Sequence, residues 1–218
     1  MYVSLICFLF TALIFVVYGK SFVLKFGQHD ISNYNGFDFF FIGLCITGTL
    51  LNTWSLFLPV DLFSLVFLSF GAAFLVSFNK ADFIPSFSSL RKQILDNKIF
   101  LFFSVIAILI TLLYGLVTPR NYDSYLYHIN AIQWNEMYGT VPGLANFHDR
   151  FGLNSSVFVL SAAFSYNFLY NQYIFTISSL CYLVLFIWLL KQIVFKKGII
   201  CFFSILFIYF FTAQYAND

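Results

Sequence analysis

Charge is what this chain has least of. Only 9% of its 218 residues are Asp, Glu, Lys or Arg, against about a quarter in soluble domains. So few ionic groups cannot solvate a water-facing surface, which excludes a soluble globular domain and predicts the bilayer as solvent. The net charge of +2 is spread over loops, so no basic patch is available for nucleic acid, and none is expected as a partner. Cysteine is sparse as well: Cys7, Cys45, Cys181 and Cys201 all lie in apolar runs. There is no CxxC and no Cys/His pairing, so neither a zinc site nor a disulfide framework is predicted, and the four read as small apolar packing residues. The opening "MYVSLICFLFTALIFVVYGK" lacks both the basic stretch and the small-residue cleavage site of a signal peptide. It reads as a retained first transmembrane helix.

What the chain does have is apolar length, with 61% hydrophobic residues, 33 of all residues being Phe. A helix crosses the hydrocarbon core with about 20 predominantly apolar residues. That rule gives spans near 2–18, 37–58, 61–78, 99–117, 172–190 and 197–215, and a seventh near 152–170. The expected fold is therefore all-α, a polytopic transmembrane bundle of six or seven spans. Residues 1–98 form N-terminal helices and a cytoplasmic loop, and 99–218 form a membrane core carrying a helical extracytoplasmic loop at 118–151.

The sides follow from basic residues. Residues 79–98 hold Lys80, Arg91, Lys92 and Lys98, which places them in the cytoplasm under the positive-inside rule. One crossing later, 118–151 falls on the opposite face. Lys191, Lys196 and Lys197 ask for the cytoplasm again, so 152–190 is expected to make one net crossing, with "GLNSSVFVLSAAFSYNF" as a short or re-entrant element. Asp38 and Asp61 stand at helix starts, and no charge is expected at mid-bilayer, which argues against a transporter.

The polar residues concentrate in "RNYDSYLYHINAIQWNEMYG", residues 120–139. Ser124 to Met137 is predicted as a helix, with Tyr125, Leu126, Ile129 and Ile132 as its apolar stripe, lying along the membrane surface. Asp123 has two readings. It caps that helix by accepting first-turn amides, or it is a carboxylate held at the boundary as a base. Tyr127 and Asn130 share its side of the helix, whereas His128 points elsewhere and reads as an interfacial polar residue. A second knot, "NFHDRFGLNSS", contains His148, Asp149 and Arg150. Arg150 could hold a phosphate through its fork of donors, or Asp149 and Arg150 could neutralise each other in a solvated loop. No HxxxH or HxxE spacing supports a metal, a divalent cation included, and the cofactor stays unknown.

The run from Asp123 to Trp134, of the form D-x-x-x-Y-H-x-x-A-I-x-W, followed by "GTVPGLANFHDRFGLNSS", resembles the first large loop of the C-type (GT-C) glycosyltransferase superfamily. It is also similar to an uncharacterised bacterial family of multi-pass membrane proteins. The resemblance covers roughly 99–218. It implies transfer of a sugar from a polyprenyl-phosphate donor to a cell-envelope acceptor, at the outer leaflet of a bacterial inner membrane. It also implies that Asp123 is the catalytic carboxylate and that Asp218 is a second acidic contributor. His148 and Arg150 would then bind phosphate, while Tyr127 and Asn130 orient the acceptor, with His128 and Asp149 lining the same site. Two departures stand beside it. Three spans precede residue 99, where many such enzymes reach this loop after one, and the chain stops soon after a span, as the N-terminal part of something longer would. The competing expectations are a transporter or flippase-like component for a lipid-linked intermediate, and a non-catalytic membrane subunit.

Overall fold

The structure, a computed structural model, describes residues 2–27, 34–78, 97–114, 124–152 and 155–196. Among these residues it is all-helical, with no strand. Three helices are long and apolar enough to cross a membrane: α1 (Tyr2–Phe26), α2 (Gly36–Ser55) and α8 (Thr176–Lys196). Two more apolar helices, α3 (Leu62–Phe78) and α4 (Lys98–Tyr114), have 17 residues each. The short helices α5 (Ile129–Tyr138), α6 (Ser156–Ala163) and α7 (Asn167–Tyr170) lie between α4 and α8.

Helix starts follow local capping chemistry. Asn35 and Asp38 form a capping box at α2: the Asn35 side chain accepts from the amides of Phe37 and Asp38, and the Asp38 carboxylate accepts from the Asn35 amide. Asp61 accepts from the Phe63 amide at the head of α3, and Asn97 accepts from Ile99 and Phe100 at α4. Each side chain satisfies first-turn donors that no helical carbonyl can reach. Asp38 and Asp61 therefore have a structural explanation at the positions where the sequence put helix starts.

α1 packs on α2 with backbone nearly touching backbone. A side-chain carbon on Gly19 would run into the Phe39 carbonyl, and one on Gly43 into the Phe15 carbonyl. Small residues at such a crossing suit helices in lipid, where close van der Waals packing takes over the role water plays elsewhere. Around this crossing Phe15, Phe40 and Phe164 are fully buried, with the Phe15 ring edge-on to both others at 5.4 and 5.3 Å. Phe164 brings the end of α6 into the α1–α2 core.

Two sequence expectations change, and one pair of alternatives is narrowed. α1 runs on to Phe26, past the limit of 18, and takes Lys20 into the fold. At 152–170 the described residues agree with the short element and not with a seventh span: α6 has eight residues, about 12 Å of helix against a core of about 30 Å. The helix breaks at Phe164–Tyr166, where Tyr166 takes a left-handed backbone (φ 56°). The turn then closes on itself, with the Ile174 amide donating to Ser165 O and the Thr176 hydroxyl to Phe164 O. Finally, 124–138 is not one α-helix. Ser124–His128 form a π-helical turn before α5. The span expected at 197–215 lies outside the described residues.

Candidate functional site

α5 is fixed to one end of the bundle by backbone bonds. The Val60 amide donates to Asn135 O at 2.8 Å and the Thr140 amide to Ser55 O at 2.7 Å, while the Ser55 and Thr140 hydroxyls meet at 3.0 Å. Gly139 makes this fit. Its φ is +72°, and a side-chain carbon there would press on Ser55 O and Leu58 O, so an L side chain is excluded both by backbone conformation and by space. The Asn52 amide nitrogen donates to the Ser156 hydroxyl, tying the head of α6 to the same end. Residues 129–140 are thus part of the bundle's end, with Ile132 and Asn135 buried.

On this end two polar groups form. The first joins the two knots seen in the sequence. The Arg150 guanidinium lies 5.0 Å over the Tyr127 ring. Tyr127 and His128 touch edge-on at 4.3 Å, and His128 lies 5.2 Å from Phe158 of α6. His128 was expected to point away from Tyr127. The two are neighbours in the π turn, and their rings meet there. His148 Nδ1 sits 3.4 Å from Asp149 Oδ1, with the Asp149 side chain 96% exposed. An exposed pair of this kind contributes little stability. The Arg150 amide donates to both His148 Nδ1 and Asp149 Oδ1, so the Asp149 carboxylate meets Arg150 through the backbone. The Asn130 amide nitrogen donates to Leu126 O in the π turn that precedes α5. Asp123 and Asp218 lie outside the described residues.

The second group is centred on Glu136, to which the sequence reading gave no role. Its carboxylate accepts from the Ser165 hydroxyl at 2.6 Å and from the Tyr173 hydroxyl at 2.8 Å, and Asn167 also hydrogen-bonds to it. Burial raises the Glu136 pKa above its ordinary 4.5, while the three hydrogen bonds pull it partly back. The Tyr173 phenol is pushed up in turn, first by burial, then by its bond to Glu136 and that carboxylate's charge. One sequence signal marked this residue. Glu136 is the only Asp, Glu, Lys or Arg from 124 to 148, and a lone charge in an uncharged stretch requires partners. Those partners are 29 and 37 residues away, beyond any local spacing rule.

Deeper in the bundle the Tyr166 hydroxyl meets Thr11 Oγ1 at 2.7 Å and donates to Cys7 O at 3.2 Å. Glu136 on one side and α1 on the other therefore hold the broken turn 164–176 in place. Lys20 is a further buried polar side chain. It is 3% exposed within α1 and is partnered inside the protein. It lies in the part of α1 beyond residue 18, where the sequence reading had ended the first span. An open apolar groove on α3, between Phe67, Phe70, Gly71, Phe74 and Ser77, contains no titratable group and offers no chemistry. Of the cysteines, Cys7 is buried, Cys181 half-buried and Cys45 exposed, so Cys45 is not the packing residue expected. Among the described residues no three His, Cys, Asp or Glu side chains group as metal ligands do.

Residues 1–218 match the family described as a domain of unknown function (DUF8201), and the chain belongs to that family. No curated protein and no solved structure matches it.

Proposed function

We propose that this DUF8201 chain is a multi-pass protein of a bacterial inner membrane that transfers a sugar from a polyprenyl-phosphate donor to a cell-envelope acceptor. The site would face the outer leaflet, with 118–151 outside the cytoplasm. The observation that carries the reading is the Arg150 guanidinium laid over Tyr127 beside His128, just after the sequence position of Asp123. A guanidinium steadied on a ring face presents a planar donor fork suited to a phosphate. In this reading Asp123 takes the proton from the acceptor hydroxyl. The acceptor oxygen bonds to the sugar's anomeric carbon as that carbon's bond to the phosphate oxygen breaks. The polyprenyl phosphate leaves with the electron pair, its charge met by Arg150 and His148. Tyr127 and Asn130 orient the acceptor, and Asp218 is the second acidic contributor.

A transfer assay with radiolabelled polyprenyl-phosphate sugar, on membranes containing the full chain, tests this. General-base removal in Asp123→Asn is expected to lower transfer by about 10²–10⁴-fold at unchanged protein level. Transfer equal to wild type in that variant ends the assignment.

A second reading, a transporter or flippase-like component for a lipid-linked intermediate, is favoured by Lys20, a buried lysine inside a candidate span. Ionisable groups at such positions mark pathways for ions and polar substrates. Under this reading Lys20→Met abolishes movement of the lipid-linked intermediate across reconstituted vesicles while no sugar is transferred by the wild type.

A further inference from the structure

α2 is a candidate span ending at Ser55. The turn that follows it exposes Leu56, Phe57 and Leu58, with Phe57 80% exposed. The bonds from Val60 to Asn135 and from Thr140 to Ser55 hold the end of α5 at the level of that turn, to within a hydrogen bond's length. Met137 and Tyr138, 65% and 60% exposed, are therefore about one helical turn or less from the level at which α2 ends.

This surface carries no charge. There is no Asp, Glu, Lys or Arg between Asp38 and Asp61, nor between Glu136 and Asp149. Facing water, a cluster of exposed Phe, Leu, Met and Tyr without charge would be an aggregation surface. The flanking aromatic chemistry points the same way. Trp134 packs on Tyr138 at 5.1 Å, and Trp54 donates its indole N–H to Pro59 O. Trp and Tyr concentrate at the headgroup level, where an apolar ring body and a polar tip are both satisfied.

We infer that the 56–58 turn and the 137–138 end of α5 form one membrane-penetrating rim whose occupant is the bilayer at its hydrocarbon–headgroup boundary. The stretch 138–147, expected from sequence to lie in the extracytoplasmic loop after the surface helix, then begins in lipid. The 148–150 knot, with its charged residues, would be the part that reaches water. The inference rests on α2 crossing the bilayer and not on sugar transfer: an inactive protein could have this rim, and an active one could lack it.

The test places the photo-crosslinking residue benzoylphenylalanine singly at Phe57, Met137 and Tyr138 in the full chain, irradiates in native membranes, and weighs the protein by intact mass spectrometry. Leu9, an exposed residue of α1, serves as the lipid-facing reference, and Asp149 as the water-facing one. The expected result is a phospholipid-mass adduct at all three rim positions at a yield like that of Leu9, with at least a tenfold lower yield at Asp149. A covalent dimer would make the rim an interface between copies, and an adduct to another protein would make it a docking surface. Unmodified protein at the rim while Leu9 labels would place it in water. Each of these three outcomes overturns the proposal.

Discussion

Glu136 joins elements that are distant in sequence, because one carboxylate of α5 accepts hydroxyl donors from both ends of the broken turn 164–176. Truncation to alanine strands the Ser165 and Tyr173 hydroxyls in a half-buried place, and leaving such donors unpaired costs about 1–3 kcal/mol each at the upper bound. Glu136→Ala is therefore expected to lower stability in a detergent-denaturation titration by more than Tyr173→Phe, which removes one donor and leaves the bonds with Ser165 and Asn167 intact. Equal loss in the two variants would mean that the carboxylate does not organise the cluster. The pH dependence has a definite sign. Burial holds the folded pKa above the ordinary 4.5. The folded state therefore binds this proton more tightly than the unfolded one. The associated stability is complete below that ordinary value and is lost as pH rises through the folded pKa. Wild-type Tm should fall relative to Glu136→Gln as pH rises from about 4.5 toward neutrality. A relative rise would show that the hydrogen bonds outweigh desolvation.

Among the helices, the α1–α2 crossing is the contact with least room for change. Gly43→Leu drives a side chain into the Phe15 carbonyl. That collision sits between two backbones and has no flexible side chain to yield. A loss of about 3 kcal/mol, the upper end of overpacking costs, is expected in the same titration, and a change within error would mean that the helices separate readily. Tyr166→Phe keeps the ring and removes the hydroxyl contacts with Thr11 and Cys7 O. Hydrogen bonds within membranes average near 1 kcal/mol or below, so this variant should be much milder than Gly43→Leu. The sequence made α1, α2, α3, α4 and α8 legible because apolar length is a local property. It hid Lys20 because a hydropathy reading stops at the first charge, whereas a helix continues wherever its backbone bonds continue and the charge finds a partner. It also hid the π turn. A single wider turn leaves the apolar spacing of Leu126, Ile129 and Ile132 almost unchanged. The cluster around Glu136 depends on a turn closed by Ser165 and Ile174, a long-range event that leaves no periodic mark.

For the whole molecule, the open matter is which way the bundle faces, and three physical facts constrain it. Basic residues crowd 79–98, and such clusters are retained on the cytoplasmic side. The apolar helix that follows, α4, has 17 residues, about 25 Å, a length that crosses a thinned bilayer or needs a few apolar residues beyond it. The bundle end carrying Tyr127, Arg150 and Glu136 is fixed to the α2–α3 turn by the Ser55–Thr140 and Val60–Asn135 bonds, so that turn and the site must share a side. Full-chain sandwich insertions of alkaline phosphatase and of a fluorescent protein at two points therefore have linked outcomes. After Arg91 the fluorescent insertion should be bright and the phosphatase inactive, and after Gly143 the reverse. If both points report the cytoplasm, α4 does not cross. A site for a donor at the outer leaflet is then lost, whatever Asp123 does. If both points report the outer side, the basic cluster has been overridden, and the partner of buried Lys20 becomes the first place to look for the reason. The predicted opposition of the two points is the arrangement in which the packing at the bundle end and the basic residues agree.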